Sequence, residues 1–185
     1  MKILMIIGIV LLILAAALAV LVLSAPRQIA VSSAVLIQAS PEAVFDQVRY
    51  FSHYPGWSPW KESDPEQQTS VEGPDGLPGA RYSWVGVREP GKGYQELTAI
   101  EPGRRIDIQC HIQEPFKSDP KFVFHFEPET GGVRVTQEFR SDMPVPMNAI
   151  GLLMGLKANI QRVSDRGLAR LKARCEQQTH TAQLR

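Results

Sequence analysis

The chain has 185 residues, with 20 basic and 19 acidic side chains and a formal net charge of +1. This balance offers no electrostatic footprint for nucleic acid, so no nucleic-acid partner is expected. The length suits one ordinary domain with a real core, once an unusual amino terminus is set aside.

From Ile3 to Leu23 every residue is apolar or glycine, long enough at helical rise to cross the hydrocarbon of a bilayer. The run exceeds a typical signal-peptide core, and Ala17-Leu18-Ala19 and Leu23-Ser24-Ala25 match a cleavage site only in part. A retained single-pass anchor is therefore expected. The amino terminus with Lys2 on one side, against Arg27 on the other, places the domain on the extracytoplasmic side by the positive-inside rule. The expected organisation is an anchor over residues 1–25, a folded domain over 26–178 and a polar tail over 179–185.

Gln28 to Ala39 alternates, with Ile29, Val31, Val35 and Ile37 on one side, which predicts a strand. Ser40-Pro41-Glu42-Ala43 then supplies an N-cap, a first-position proline and an early acid, predicting a short helix from Pro41 to about Arg49. Phe51 to Tyr54 adds a turn before Pro55-Gly56. Trp57-Ser58-Pro59-Trp60 follows and is read as a loop, because its proline opposes regular structure. It holds two of the three tryptophans. Two large rings on a loop either plug the end of the core or line an opening.

Between Asp64 and Arg140 short β-rich runs alternate with turn clusters, in the manner of an antiparallel meander. The turns are Gly73-Pro74-Asp75-Gly76, Glu89-Pro90-Gly91-Lys92-Gly93, Glu101-Pro102-Gly103-Arg104 and Glu129-Thr130-Gly131-Gly132. Six strands result: 67–72, 80–87, 94–101, 105–113, 121–127 and 133–140. With the first strand the sheet has about seven. Alternation groups Ile106, Ile108, Cys110 and Ile112 on one face, with Phe122, Phe124 and Phe126 and with Val133, Val135, Gln137 and Phe139 as further rows. Tyr82 and Trp84 share a face. Tyr94 and Glu96 share another, where Leu97 and Ala99 leave the inward side open.

From Pro146 to about Glu176 one long amphipathic helix is predicted, with Ile150, Leu153, Met154, Ile160, Val163, Leu168 and Leu171 on its buried face. Gly151 and Gly155 fall in its first turns and cost helix stability, which suits close approach by another segment or room for a ligand. The half from Pro146 to Ile160 is expected to close a cavity and Val163 to Leu171 to pack on the sheet. Cys110 and Cys175 lack a CxxC or Cys/His spacing, so no metal site or cofactor is expected, and whether they pair is open.

The order of strand, short helices, meander and long terminal helix resembles the START-like superfamily (SRPBCC), in particular bacterial polyketide cyclase/dehydrase-like proteins. The matching pieces are Ala39-Ser40-Pro41-Glu42-Ala43-Val44-Phe45, Trp57-Ser58-Pro59-Trp60, Gly91-Lys92-Gly93, Ile100-Glu101-Pro102, Pro115-Phe116 and Gly131-Gly132-Val133-Arg134-Val135-Thr136. The resemblance spans nearly everything from Ile29 to Glu176. It implies an α+β helix-grip fold, in which a curved antiparallel sheet of about seven strands grips the carboxyl-terminal helix and leaves a cavity for an apolar ligand. Members often have threonine after the paired glycines and tryptophan after the Val-Thr; here these are Val133 and Gln137.

The chain has no nucleophile elbow, zinc-protease motif or phosphate-binding loop. Dispersed acid–base candidates are His53, Tyr54, Tyr82, Tyr94, Glu96 and Glu138, and no catalytic residue is assigned. The expected function is a membrane-anchored module holding a hydrophobic small molecule or lipid, with Trp57, Trp60, Tyr82, Trp84, Tyr94, Phe122, Phe124, Gln137 and Met154 as ligand-facing candidates. Alternatives are a polyketide cyclase or dehydratase, and a protein-interaction or stress-response domain without a ligand.

Overall fold

The computed structural model describes residues 2–88 and 91–183; Glu89 and Pro90 of the second expected turn lie outside the described residues. Helix α1 (Lys2–Ser24) is apolar between its terminal Lys2 and Ser24, and none of it is buried. Strand β1 (Gln28–Ile37), helix α2 (Pro41–Arg49), a 3-10 turn (Phe51–Gly56) and helix α3 (Pro59–Ser63) follow. Then come β2 (Gln68–Glu72), β3 (Arg81–Val85), β4 (Lys92–Glu101), β5 (Arg105–Glu114), β6 (Lys121–Glu129) and β7 (Gly132–Asp142). Two helices end the described chain, α4 (Met147–Leu153) and α5 (Leu156–Gln183).

The strands form one curved antiparallel sheet in the order β1-β7-β6-β5-β4-β3-β2, with α5 held against it. This is the α+β helix-grip arrangement. β1, the first strand in sequence, pairs with the last along its whole length, from Gln28↔Asp142 to Ile37↔Val133. Between Leu97 and Ala99 the β4–β5 register shifts, and this bulge sets the facing that alternation left open. Gln95 and Leu97 point inward and are buried, while Tyr94 and Glu96 lie on the outer face.

Two expectations need correction. Pro59 does not keep its segment irregular: it occupies the start of α3, where its missing N–H costs nothing, and Ser58 caps the helix by accepting from the Trp60 amide at 3.3 Å. The predicted single terminal helix is two helices. Gly155 adopts φ +63°, a left-handed conformation in which any side chain would be strained. Its amide donates to Leu152 O at 3.1 Å, closing α4. Because the axis turns there, Ile150, Leu153 and Met154 do not continue the buried face; they are 42%, 72% and 77% exposed. The helix α5 runs on to Gln183.

Polar ties hold α5 at both of its ends. Ser33 donates to Asp165 at 2.6 Å and accepts from Gln161 at 2.7 Å. Farther along, Lys172 donates to Leu36 O at 2.7 Å, Glu176 accepts from the Gln38 amide at 2.8 Å, and Arg174 donates to the Gln47 side chain at 2.7 Å. Leu168, Leu171 and Cys175 complete the core beneath β1, α2 and the sheet. Cys110 and Cys175 are both free and buried. Burial pushes their thiols up to about 12 and about 11, respectively.

Asp107 is a buried carboxylate beside the β4–β5 bulge, its side chain 8% exposed. Desolvation opposes its charge, but Arg105 at 2.6 Å and Lys121 at 2.8 Å outweigh it and hold the carboxyl below the usual range. A depressed folded value means the stabilisation is present above the unfolded carboxylate range and is lost as pH falls through the folded value. Asp107→Asn is therefore expected to lower stability at pH 7 by roughly 1–2 kcal/mol, and the loss should shrink below about pH 4. Denaturant midpoints at pH 7 and pH 3 check both statements.

Candidate functional site

The inner face of the sheet and α5 do not close on each other everywhere. Between them lies a cavity of about 790 Å3. β5 contributes Ile108, Cys110 and Ile112, β6 contributes Phe122 and Phe124, and β7 contributes Gln137, Phe139 and Ser141. α5 faces it with Leu156, Asn159, Ile160, Val163, Ser164 and Gly167. The cavity-facing part of the helix thus extends about two turns beyond Ile160, as far as Gly167, and its contacts with the main core begin at Leu168. The rim is formed by the exposed Pro115, Phe116, Lys117, Asp119 and Asp142 with Pro144.

Seven of the nine ligand-facing candidates meet on this wall: Trp57, Trp60, Tyr82, Trp84, Phe122, Phe124 and Gln137. Trp57 does two things at once. Its Nε1–H donates to Gln47 O at 2.9 Å, and its ring meets Tyr54 edge-on at 4.9 Å and Phe124 at 6.2 Å. It plugs the core on one side and lines the cavity on the other. Trp84 fits because Gly93, opposite it on β4, has no side chain; a Cβ there would strike the indole and the His111 carbonyl.

Tyr94 and Met154 lie elsewhere. Tyr94 stacks on His111 at 4.7 Å, under the Arg81 guanidinium at 5.1 Å, on the outside of the sheet. Met154 is exposed at the end of α4, turned away by the break at Gly155. Of the acid–base candidates, Glu96 pairs with Arg81 at 2.7 Å and Glu138 with Arg140 at 3.0 Å, both on the outer face. His53 contacts Asp46 O at 3.1 Å. Only Tyr54 and Tyr82 line the cavity. Burial raises both phenols above their ordinary value, with smaller opposing hydrogen bonds to Ser58 and Thr69, respectively. At neutral pH these phenols are protonated hydrogen-bond donors, not bases.

The sequence reading missed Gln95. It sits between Tyr82 on β3 and Cys110 on β5 in a row across the inner face. It is 5% exposed, and its Nε2 has no hydrogen-bond partner. A buried amide donor without a partner costs free energy and marks a place where an acceptor belongs. The signal was present in principle: a lone amide in strict alternation with Gly93 and Leu97. Only the bulge after Leu97 decides that this row faces inward.

The chain is similar in fold to several solved structures at low identity. Protein CV1439 from Chromobacterium violaceum aligns over 80% of this chain and 98% of its own, with 16% identity and a TM-score of 0.58. The di-domain aromatase/cyclase StfQ of the steffimycin biosynthetic pathway aligns over 83% of this chain and 52% of its own, with 13% identity and a TM-score of 0.61. The Aha1 dimer structure from Colwellia psychrerythraea aligns over 80% of this chain and 96% of its own, with 15% identity and a TM-score of 0.55. A comparison with curated proteins returns no match. A profile of one family matches residues 28–176, the whole of the sheet and most of α5. This chain belongs to that family, described as polyketide cyclase/dehydrase and lipid transport.

Proposed function

We propose that this chain is a membrane-anchored binding module that holds a hydrophobic small molecule or lipid between the sheet and α5. The carrying observation is the cavity of about 790 Å3, walled by aromatic and aliphatic side chains with a few polar groups set among them. Family membership supports a ligand-binding or cyclase-like role. Within it, the polar groups favour binding. Tyr54 and Tyr82 are neutral donors, and the lining groups that carry charge, Lys117, Asp119 and Asp142, are at the rim. α1 supplies the membrane anchor: its 23 residues at about 1.5 Å each reach roughly 34 Å, against about 30 Å of hydrocarbon.

The full chain, extracted from membranes in lipid discs without detergent, is expected to carry one apolar molecule per protein by native mass spectrometry. It should also take up a fluorescent fatty-acid analogue in competition with that molecule. A chain that carries nothing and takes up no apolar probe would overturn the proposal. Conversion of the bound molecule into a product of different mass would instead establish the cyclase-like role.

A further inference from the structure

The pairing of the strands puts one end of the domain next to α1. β1 enters at Gln28 opposite Asp142, where β7 leaves for α4, and β6 begins nearby at Lys121 opposite Arg140. The loop between β5 and β6, with Phe116, therefore sits at this same end. At this end Phe116 is 68% exposed, and Val145, Ile150, Leu152, Leu153 and Met154 are 49%, 42%, 52%, 72% and 77% exposed. At the other end of the sheet the β4–β5 and β6–β7 reversals are polar, Glu101-Pro102-Gly103-Arg104 and Glu129-Thr130-Gly131-Gly132. Apolar side chains exposed together beyond isolated residues mark a contact surface.

What covers this surface follows from a second observation. The Asn148 side chain, 2% exposed, donates to Val22 O at 2.9 Å and to Ala25 O at 3.0 Å. These carbonyls belong to the last turn of α1 and the residue that follows it, and the last carbonyls of a helix need donors from outside it. Met143 N also donates to Arg27 O at 2.8 Å. α4 is thus fastened to the point at which a membrane-crossing α1 leaves the hydrocarbon. A segment fastened there lies at headgroup depth. Its exposed residues Ile150, Leu153 and Met154 are spaced to share one side of α4, while Asn148, Ala149 and Gly151 are buried.

We infer that α4 is an interfacial helix that rests its Ile150, Leu153 and Met154 side in the bilayer surface reached by α1, with Phe116 dipping beside it. The inference rests on the proposed reading of α1 as a membrane anchor. Met143, Pro144, Met147 and Phe116 also line the cavity, so the docked rim gives an apolar molecule a path between bilayer and cavity with little exposure to water.

The test uses the full chain in lipid nanodiscs, with a nitroxide placed in turn through Leu12→Cys, Leu153→Cys and Thr130→Cys. All three positions are exposed, so the domain folds as before, and the buried Cys110 and Cys175 give only a background measured on the unsubstituted chain. Collision with oxygen, which concentrates in lipid, is compared with collision with a polar nickel chelate. The expected order of the oxygen-to-nickel ratio is Leu12 above Leu153 above Thr130, with Leu153 exceeding Thr130 at least about fivefold. If Leu12 is in hydrocarbon and Leu153 matches Thr130, α4 is in water and the inference fails while the anchor stands. If Leu153 is shielded from both colliders, protein covers it and the inference fails in favour of a second chain. If Leu12 itself collides like Thr130, the anchor reading fails and takes the inference with it.

Discussion

Replacing Gln95 by leucine is expected to stabilise the empty domain by about 1–2 kcal/mol and to weaken its ligand roughly five- to tenfold. The two signs have one cause. In the empty domain Nε2 is buried without a partner, and an unsatisfied buried amide costs about 1–3 kcal/mol that an apolar side chain of similar size does not. When a ligand brings a carbonyl, ester or hydroxyl oxygen to the row Tyr82, Gln95 and Cys110, the amide gains an acceptor. Losing that bond costs about 1 kcal/mol, close to the stated fall in affinity at about 1.4 kcal/mol per factor of ten. Thermal unfolding and titration with a fluorescent fatty-acid analogue read the two quantities separately. A Gln95→Leu variant that unfolds more readily would make Gln95 a structural group and remove it from the site.

Trp57→Ala is expected to cost about 3–5 kcal/mol, whereas Trp60→Ala, three residues away, should cost less than about 1.5 kcal/mol. Trp57 is 4% exposed, and its ring stands against Tyr54 and Phe124. Its removal takes away a large buried area and the donor to Gln47 O, which lies in α2 and is otherwise far from solvent. Large-to-small changes of this kind fall in that range because the surrounding structure only partly collapses. For a domain of this size, 2–4 °C per kcal/mol makes the loss visible as a fall in Tm of about 10 °C. Trp60 is half-buried on the short α3 at the cavity edge, so its truncation should act mainly on ligand affinity. Equal and small losses at both positions would mean that neither ring belongs to the core.

The element types were legible because local chemistry fixes them. Ser40-Pro41-Glu42 sets the start of α2 to the residue, and the glycine and proline clusters end the strands close to where the sheet turns. Rows such as Phe122, Phe124 and Phe126 face inward as alternation requires, since consecutive strand residues cannot share a side. The apolar run at the amino terminus is a helix for equally local reasons.

What the sequence left open was decided by partners distant along the chain. Whether Tyr94 or Gln95 enters the cavity depends on a one-residue bulge opposite Asp107, and a single residue of slip exchanges every side chain between faces. Glycine is costly inside any helix, but only the φ of +63° at Gly155 turns it from a loosened position into the end of α4, moving Ile150, Leu153 and Met154 from core to surface. The pairing of β1 with β7 joins residues far apart in the chain, from Gln28 with Asp142 to Ile37 with Val133, and brings the end of α1 to Asn148. By itself the sequence determined the strands, α2, the apolar amino-terminal helix and the apolar sheet face. The tertiary structure decided that the face is not fully covered, which amide nitrogen is left without a partner inside it, and which end of the domain meets α1. Each of these depends on how strands pair and where a helix axis turns, quantities set by packing across the whole chain and not by any stretch of it.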